Sequence, residues 1–267
     1  MTLWRLLCIL VGGITTNQKE FMNNELLPKL TKLTLVEDFI TQFEKMIISG
    51  KLDIGEKLPS ERELAVKLGV SRPVVHEGMI DLEAKGLITR LKRGGAVVND
   101  YRKSGSLIML NSFLKFEDGL IEPLLAESTL EFRMLIEVEF ARLAALNRTK
   151  VHLKEMQSIL LREKKISPDD KEALSEIDFE FHHLIAMATG NIFFPLLLNS
   201  FKSLYINGSL VFFSDPTLTR EAFKFHKQLV QTISEGNERA AIAVMHNLLE
   251  HGKAGYMGLI SDSISKE

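Results

Sequence analysis

The chain is nearly without cysteine, has only 7% aromatic residues, and carries no marked excess of either charge. The single cysteine, Cys8, excludes an internal disulfide and any CxxC zinc spacing, which fits a reducing compartment, the cytoplasm. Lys+Arg 33 against Asp+Glu 35 gives a net charge of −2, so a nucleic-acid footprint must be a local patch. No apolar run reaches the ~20 residues that a bilayer crossing needs, which excludes a membrane partner. The nearest, Leu3 to Ile14, is interrupted by Arg5 and reads as part of a poorly structured extension over residues 1–34, with Met22 an alternative start. Solenoid-length repeats, low-complexity tracts, a GxSxG nucleophile motif and a phosphate-binding glycine loop are all missing.

What is present is helical punctuation. Val36, Phe39, Ile40, Phe43 and Ile47 recur at spacings of three and four, predicting a helix from Leu35 to Ser49 that Gly50 ends. Gly55 to Ser60 reads as a turn, and Ser60 with Glu63 forms a capping-box signature for a short second helix stopping at Gly69. Ser71 suits the N-cap of a third helix, Pro73 its first turn, and Val75, Met79 and Leu82 its inward face. Two strand-like runs, 87–91 and 96–99, flank Lys92-Arg93-Gly94-Gly95. Three helices and a β-hairpin wing make a winged helix-turn-helix over residues 35–100.

Such a module sets the start of its second motif helix, here Ser71-Arg72, in the DNA major groove. Arg72 can donate two hydrogen bonds to a guanine edge, and Arg62 is placed for backbone or base. Lys92 and Arg93 bring charge to the wing tip, where Gly94 and Gly95 let the backbone approach a phosphate or the minor groove; His76 faces out beside Arg72. The segments Ile48 to Ala65, Leu68 to Val75, Leu82 to Ile88 and Gly95 to Val98 closely resemble the GntR family of winged-helix regulators. That resemblance places Arg62, Ser71, Arg72, His76, Gly94 and Gly95 at DNA-contacting positions. His76 stands where many members have Arg.

Residues 101–121 read as a polar linker and the start of a helical region, and 122–260 as an all-α antiparallel bundle, broken near Ser167-Pro168, Gly190-Asn191, Ser214-Asp-Pro216 and Gly236. Phe132 to Ala145, Asp178 to Ile185 with Thr189-Gly-Asn191, and His226 to Ile233 resemble the FadR-type effector-binding domain of the same family, often called FCD. Asp178 and His182 stand four apart on one helix face, a donor pair suited to Zn²⁺, Ni²⁺ or Mn²⁺. By the resemblance, His226 is a third metal ligand. The usual fourth is a histidine at the position of Leu248, with His246 and His251 flanking it. Two readings of the trio stay open: a three-ligand divalent site completed by water or an effector carboxylate, or three side chains hydrogen-bonded in a polar cavity. Arg133 falls at the family's cavity-lining arginine position, where it would pair with an anion, or with Glu137 one turn on.

The resulting expectation is a mainly α, homodimeric regulator of transcription. It binds a palindromic operator in double-stranded DNA, acts as a repressor, and answers to a small carboxylate such as a sugar acid or hydroxy acid. A metal-dependent hydrolase built on Asp178, His182 and His226, and a DNA-binding adaptor without an effector, are the alternatives; the absence of a positioned general base counts against the first.

Overall fold

A computed structural model of the chain describes residues 35–92, 94–115 and 123–264. The expected extension over 1–34, the wing residue Arg93 and residues 116–122 of the expected linker lie outside the described residues.

Helix α1, Leu35–Ile48, buries the predicted Phe39, Ile40, Phe43 and Ile47, with Phe39 stacked on Phe43 at 4.4 Å between ring centroids. Helix α2, Glu61–Leu68, opens on the predicted capping box: the Ser60 hydroxyl accepts from Glu63 N, and the Glu63 carboxylate accepts from Ser60 N at 2.9 Å. Gly69, in the left-handed conformation, closes it. Helix α3, Arg72–Ala84, begins after Ser71, whose backbone is extended as an N-cap requires but whose hydroxyl makes no capping bond. Val75, Met79 and Leu82 are fully buried against α1 and α2.

The wing corrects the sequence reading. Strands β2, Ile88–Arg90, and β3, Ala96–Val98, pair antiparallel as expected, but a further strand, β1, Lys57–Leu58, pairs with the other side of β3. The order is β1-β3-β2, with Leu58 opposite Ala96, so the segment read as a turn also supplies a sheet edge. Two residues are too few to show strand alternation.

After β3 the chain does not leave this head at once. Asp100 caps a single helical turn, α4, Tyr101–Ser104, and a 3₁₀ segment, Leu107–Lys115, follows. Residues expected as free linker are tied back onto the end of α3. Ser104 Oγ donates to Gly86 O at 2.9 Å, Ser106 N to Lys85 O at 3.1 Å and Ser106 Oγ to Ala84 O at 3.1 Å. Met109 is buried in the head's core. Below it, the carboxylate of Glu44, fully buried on α1, accepts at Oε1 from Lys85 Nζ and from Ser112 Oγ, each at 2.7 Å.

The second core belongs to seven helices: α5 Pro123–Asn147, α6 Lys150–Glu163, α7 Lys171–Ala188, α8 Phe193–Ser200, α9 Lys202–Phe212, α10 Pro216–Glu235 and α11 Glu238–Ile264. The span 191–213, expected as one helix, breaks at Phe201, whose φ of −121° interrupts the helical path between α8 and α9. Phe140, Phe181, Ile185, Leu229, Ile233 and Met245 fill the centre of the bundle. Helix α7 runs through the middle, touching α5, α6, α8 and α9, so any polar group it turns inward is enclosed on all sides. Among the described residues no helix is long and apolar enough to cross a membrane.

Candidate functional site

Two groups of side chains carry the chemistry expected from the sequence. The first lies where the opening turns of α2 and α3 meet the wing. His76 Nδ1 lies 2.9 Å from Glu61 Oε1, joining the two helix starts, and the wing glycine Gly94 faces the Ser60 side chain. Arg62, Ser71, Arg72 and Lys92, on these segments, are exposed. Among the described residues neither Arg62, Arg72 nor Lys92 holds an acid, whereas Arg90 beside them is engaged by Glu83 at 2.8 Å. His76, by contrast, is already occupied by Glu61. The two wing glycines differ. Gly95, at φ 75°, passes so close to β1 that a Cβ there would stand 2.6 Å from Leu58 O, so its lack of a side chain is explained by sheet packing. Gly94, at φ 91°, faces open space apart from Ser60.

The second group is buried in the bundle. The sequence placed Asp178 and His182 on one face of α7; α10 brings His226 to them, and one ligand atom from each lies within 4.8 Å of the others. All three are at least nine-tenths buried, at 7%, 2% and 0% exposure. Each histidine is held by a carboxylate at Nδ1: His182 by Glu137 of α5, and His226 by Glu163 of α6 at 2.6 Å. A carboxylate at Nδ1 fixes the proton there and leaves the Nε2 lone pair to face the cavity, which is how metal-binding histidines are oriented. His226 Nε2 lies 3.4 Å from Asp178 Oδ1 without hydrogen-bond geometry, and it is a buried nitrogen with no hydrogen-bond partner. Such an atom is costly unless something else occupies it.

Arg133 closes the arrangement into a ring. Its Nε donates to Glu137 Oε1 at 2.5 Å and its Nη2 to the Tyr205 hydroxyl at 2.9 Å; that hydroxyl donates to Asp178 Oδ2 at 2.7 Å. The guanidinium also lies over the Tyr205 ring, 4.0 Å from its centroid. Of the two partners expected for Arg133, Glu137 holds one edge of the guanidinium, which also lines the cavity. Burial alone would raise the Glu137 carboxyl, but Arg133 and His182 outweigh it and bring it down to about 2. Burial likewise opposes a charged His226, yet Asp178 and Glu163 push it up to about 9, so without an ion the imidazole takes a second proton at Nε2, which a metal would have to displace to reach the lone pair.

The cavity bounded by Arg133, Asp178, His182 and Tyr205 takes in about 740 Å³, its open side included, and continues along Leu130, Leu204, Phe212, Leu248 and Leu249. Leu248 therefore lines the cavity, as a fourth ligand would, but offers no donor atom. His246 is exposed, and His251 Nε2 donates to Leu218 O at 3.1 Å, so neither neighbour substitutes for it. His183, next to His182 and so turned about 100° from it on α7, stacks on Phe179 outside the cavity.

Two members of the ring system escaped the sequence reading. Glu163 follows Met156 and Ile159 at helical spacing, and an acid on an apolar face was the available signal. Tyr205 gives none, because its partners are 27 and 72 residues away.

Comparison with known proteins agrees with the architecture. Residues 35–98 match the model described as bacterial regulatory proteins of the gntR family, and residues 99–257 match the FadR C-terminal domain. The chain is 30% identical over 183 residues to a fatty acid metabolism regulator protein of Yersinia pestis, covering 68% of this chain and 74% of that one. It is 29% identical over 225 residues to an uncharacterised HTH-type transcriptional regulator of Bacillus subtilis, YcbG, covering 84% and 89%. Among solved structures, the Listeria monocytogenes regulator Lar shares the fold with a TM-score of 0.59 at 17% identity, over 86% of this chain and 100% of that one.

Proposed function

This chain belongs to the GntR family of bacterial regulatory proteins, in the branch that carries a FadR C-terminal domain, and on that premise we propose that it is a metal-dependent, acid-responsive repressor. The family's members are transcriptional regulators and not enzymes, which removes the hydrolase reading of Asp178, His182 and His226. The observation that carries the proposal is the buried, partnerless Nε2 of His226 beside Asp178, with carboxylates behind both histidines.

Asp178, His182 and His226 would hold a divalent transition metal, Zn²⁺, Ni²⁺ or Mn²⁺, with Leu248 leaving the fourth side open. When bound, such an ion supplies positive charge and free coordination positions for a chelating acid. Arg133 aligns the acid's carboxylate through its remaining N–H groups, and the leucines beyond it suit a short apolar or sugar-like body. Hydroxy acids and sugar acids fit this division. The fatty acid regulator among the relatives suggests a longer acid, for which the apolar end of the cavity is the favourable feature.

On the output side, Arg62, Ser71, Arg72, His76, Lys92, Gly94 and Gly95 meet the operator, and a cytoplasmic homodimer sets two recognition helices in successive major grooves of a palindrome. Arg93 joins them by the sequence reading alone. Arg72→Ala should weaken binding to a selected operator roughly 5- to 150-fold, the loss of one base-reading arginine. Its melting temperature should stay unchanged, because Arg72 is exposed and pairs with no acid among the described residues.

The test is fluorescence anisotropy with a duplex recovered by the protein from a random-sequence pool, titrated with hydroxy acids and sugar acids in the presence of Zn²⁺, Ni²⁺ or Mn²⁺. Release of the duplex by one acid, absent in Arg133→Met, supports the proposal. Unchanged affinity with every acid returns the chain to the adaptor reading.

A further inference from the structure

We infer that Glu44 is a positioning residue for the recognition helix, and that through it the segment 101–113 transmits the state of the cavity to α3. The inference rests on connections that run from one core to the other. Consecutive residues of the 3₁₀ segment face opposite ways: Met109 is buried in the head, while Leu110 packs against the bundle core. The same segment touches α9, the helix that carries Tyr205 into the cavity ring. At its far end Ser112 reaches the Glu44 carboxylate, and Glu44 in turn holds Lys85, the C-cap of the recognition helix.

What makes this a relay is that Ser112 and Lys85 share one acceptor atom in a place closed to bulk solvent. Ser112 Oγ and Lys85 Nζ each lie 2.7 Å from Glu44 Oε1, and Glu44 has no exposed surface. If the segment slides by an ångström or two, a buried carboxylate loses a donor that no solvent replaces, so the end of α3 follows the segment. Close-packed contacts of this kind have few arrangements and do not deform continuously. The bonds of Ser104 and Ser106 to Gly86, Lys85 and Ala84 bind the segment to the same helix end from the other side.

The connection does not require a metal, so it can be tested whether or not the metal reading holds. Tyr205→Phe cuts the ring at Arg133 and Asp178 by removing one oxygen. Amide hydrogen exchange of the full chain should then change about five-fold or more in peptides spanning 80–90, the size of a modest allosteric coupling. In a Ser112→Ala background the same Tyr205→Phe substitution should alter those peptides clearly less, the bonds of Ser104 and Ser106 remaining, while peptides spanning 200–212 respond in full. A role in holding the fold alone predicts something else: Ser112→Ala would speed exchange over 101–113, and the effect of Tyr205→Phe on 80–90 would be the same in both backgrounds. That result, or no effect of Tyr205→Phe on 80–90 at all, overturns the inference. Glu44→Gln, which keeps an acceptor oxygen, should retain more of the coupling than Ser112→Ala.

Discussion

Protein purified without chelators should contain about one divalent ion per chain, and His226→Ala should contain none. The expectation follows from the donor set: with three ligands and no fourth at Leu248, losing one leaves a site with two, too few to compete with water. The variant also strands Glu163, 4% exposed, without its imidazole partner, so its metal-free form should be about 1 to 3 kcal/mol less stable than metal-free wild type. Glu163→Gln separates the two effects, because the ligand stays and only its support weakens; metal affinity should fall about 10- to 100-fold, as when an outer-sphere partner is removed. Elemental analysis and competition with a chromophoric chelator read both. No metal in either wild type or His226→Ala would make Asp178, His182 and His226 a hydrogen-bonded polar cluster, and equal metal in both would place the ion elsewhere.

Gly86→Ala should be the most damaging single methyl in the head. Gly86 follows the recognition helix at φ 79°, and a Cβ there would stand 2.0 Å from the carbonyl oxygen of Ser104 and 2.6 Å from its carbon. Backbone, unlike a flexible side chain, cannot step aside. The left-handed conformation costs about 1 to 2 kcal/mol and the overpacking about 1 to 3 more, so a loss of about 2 to 5 kcal/mol is expected in urea denaturation. Gly50→Ala is the control. It has nearly the same φ, 72°, but nothing within 4 Å of the added carbon, so only the first cost applies. The difference between the two variants measures how firmly Ser104 is pressed against the helix end; equal losses would mean that the contact yields.

The parts legible in the sequence are those whose cause is local. Ser60 with Glu63, the glycine stop at Gly69, and the shared face of Asp178 and His182 each depend on residues within one or two turns, and each appears where the spacing put it. The family resemblance extended this to His226 and Arg133, which no local rule would have joined to α7. What stayed hidden is set by long-range pairing. Strand β1 exists because β3 lies alongside, about 40 residues later, and two residues carry no alternation to read. Glu137 was foreseen as the partner of Arg133 through helical spacing, but its second bond, to His182, spans 45 residues. The polar composition of 101–106 suggested a loose connection; its serines are polar because they bond the carbonyls at the end of α3. The break at Phe201 has no glycine or proline to announce it.

Among the described residues Arg62 and Arg72 reach solvent with no acid to release, while Arg90 and His76 beside them are already engaged. Docking onto the proposed operator would therefore break no internal ion pair at these two positions, and the reading face would need little reorganisation on contact. What leaves instead is the condensed salt around the duplex. Overall affinity should thus fall with ionic strength, the logarithm of the binding constant dropping by about 0.9 per decade of salt for each phosphate contact the head makes. Contacts recruited from His76, which must first give up Glu61, should arrive more slowly and only once the helix is seated.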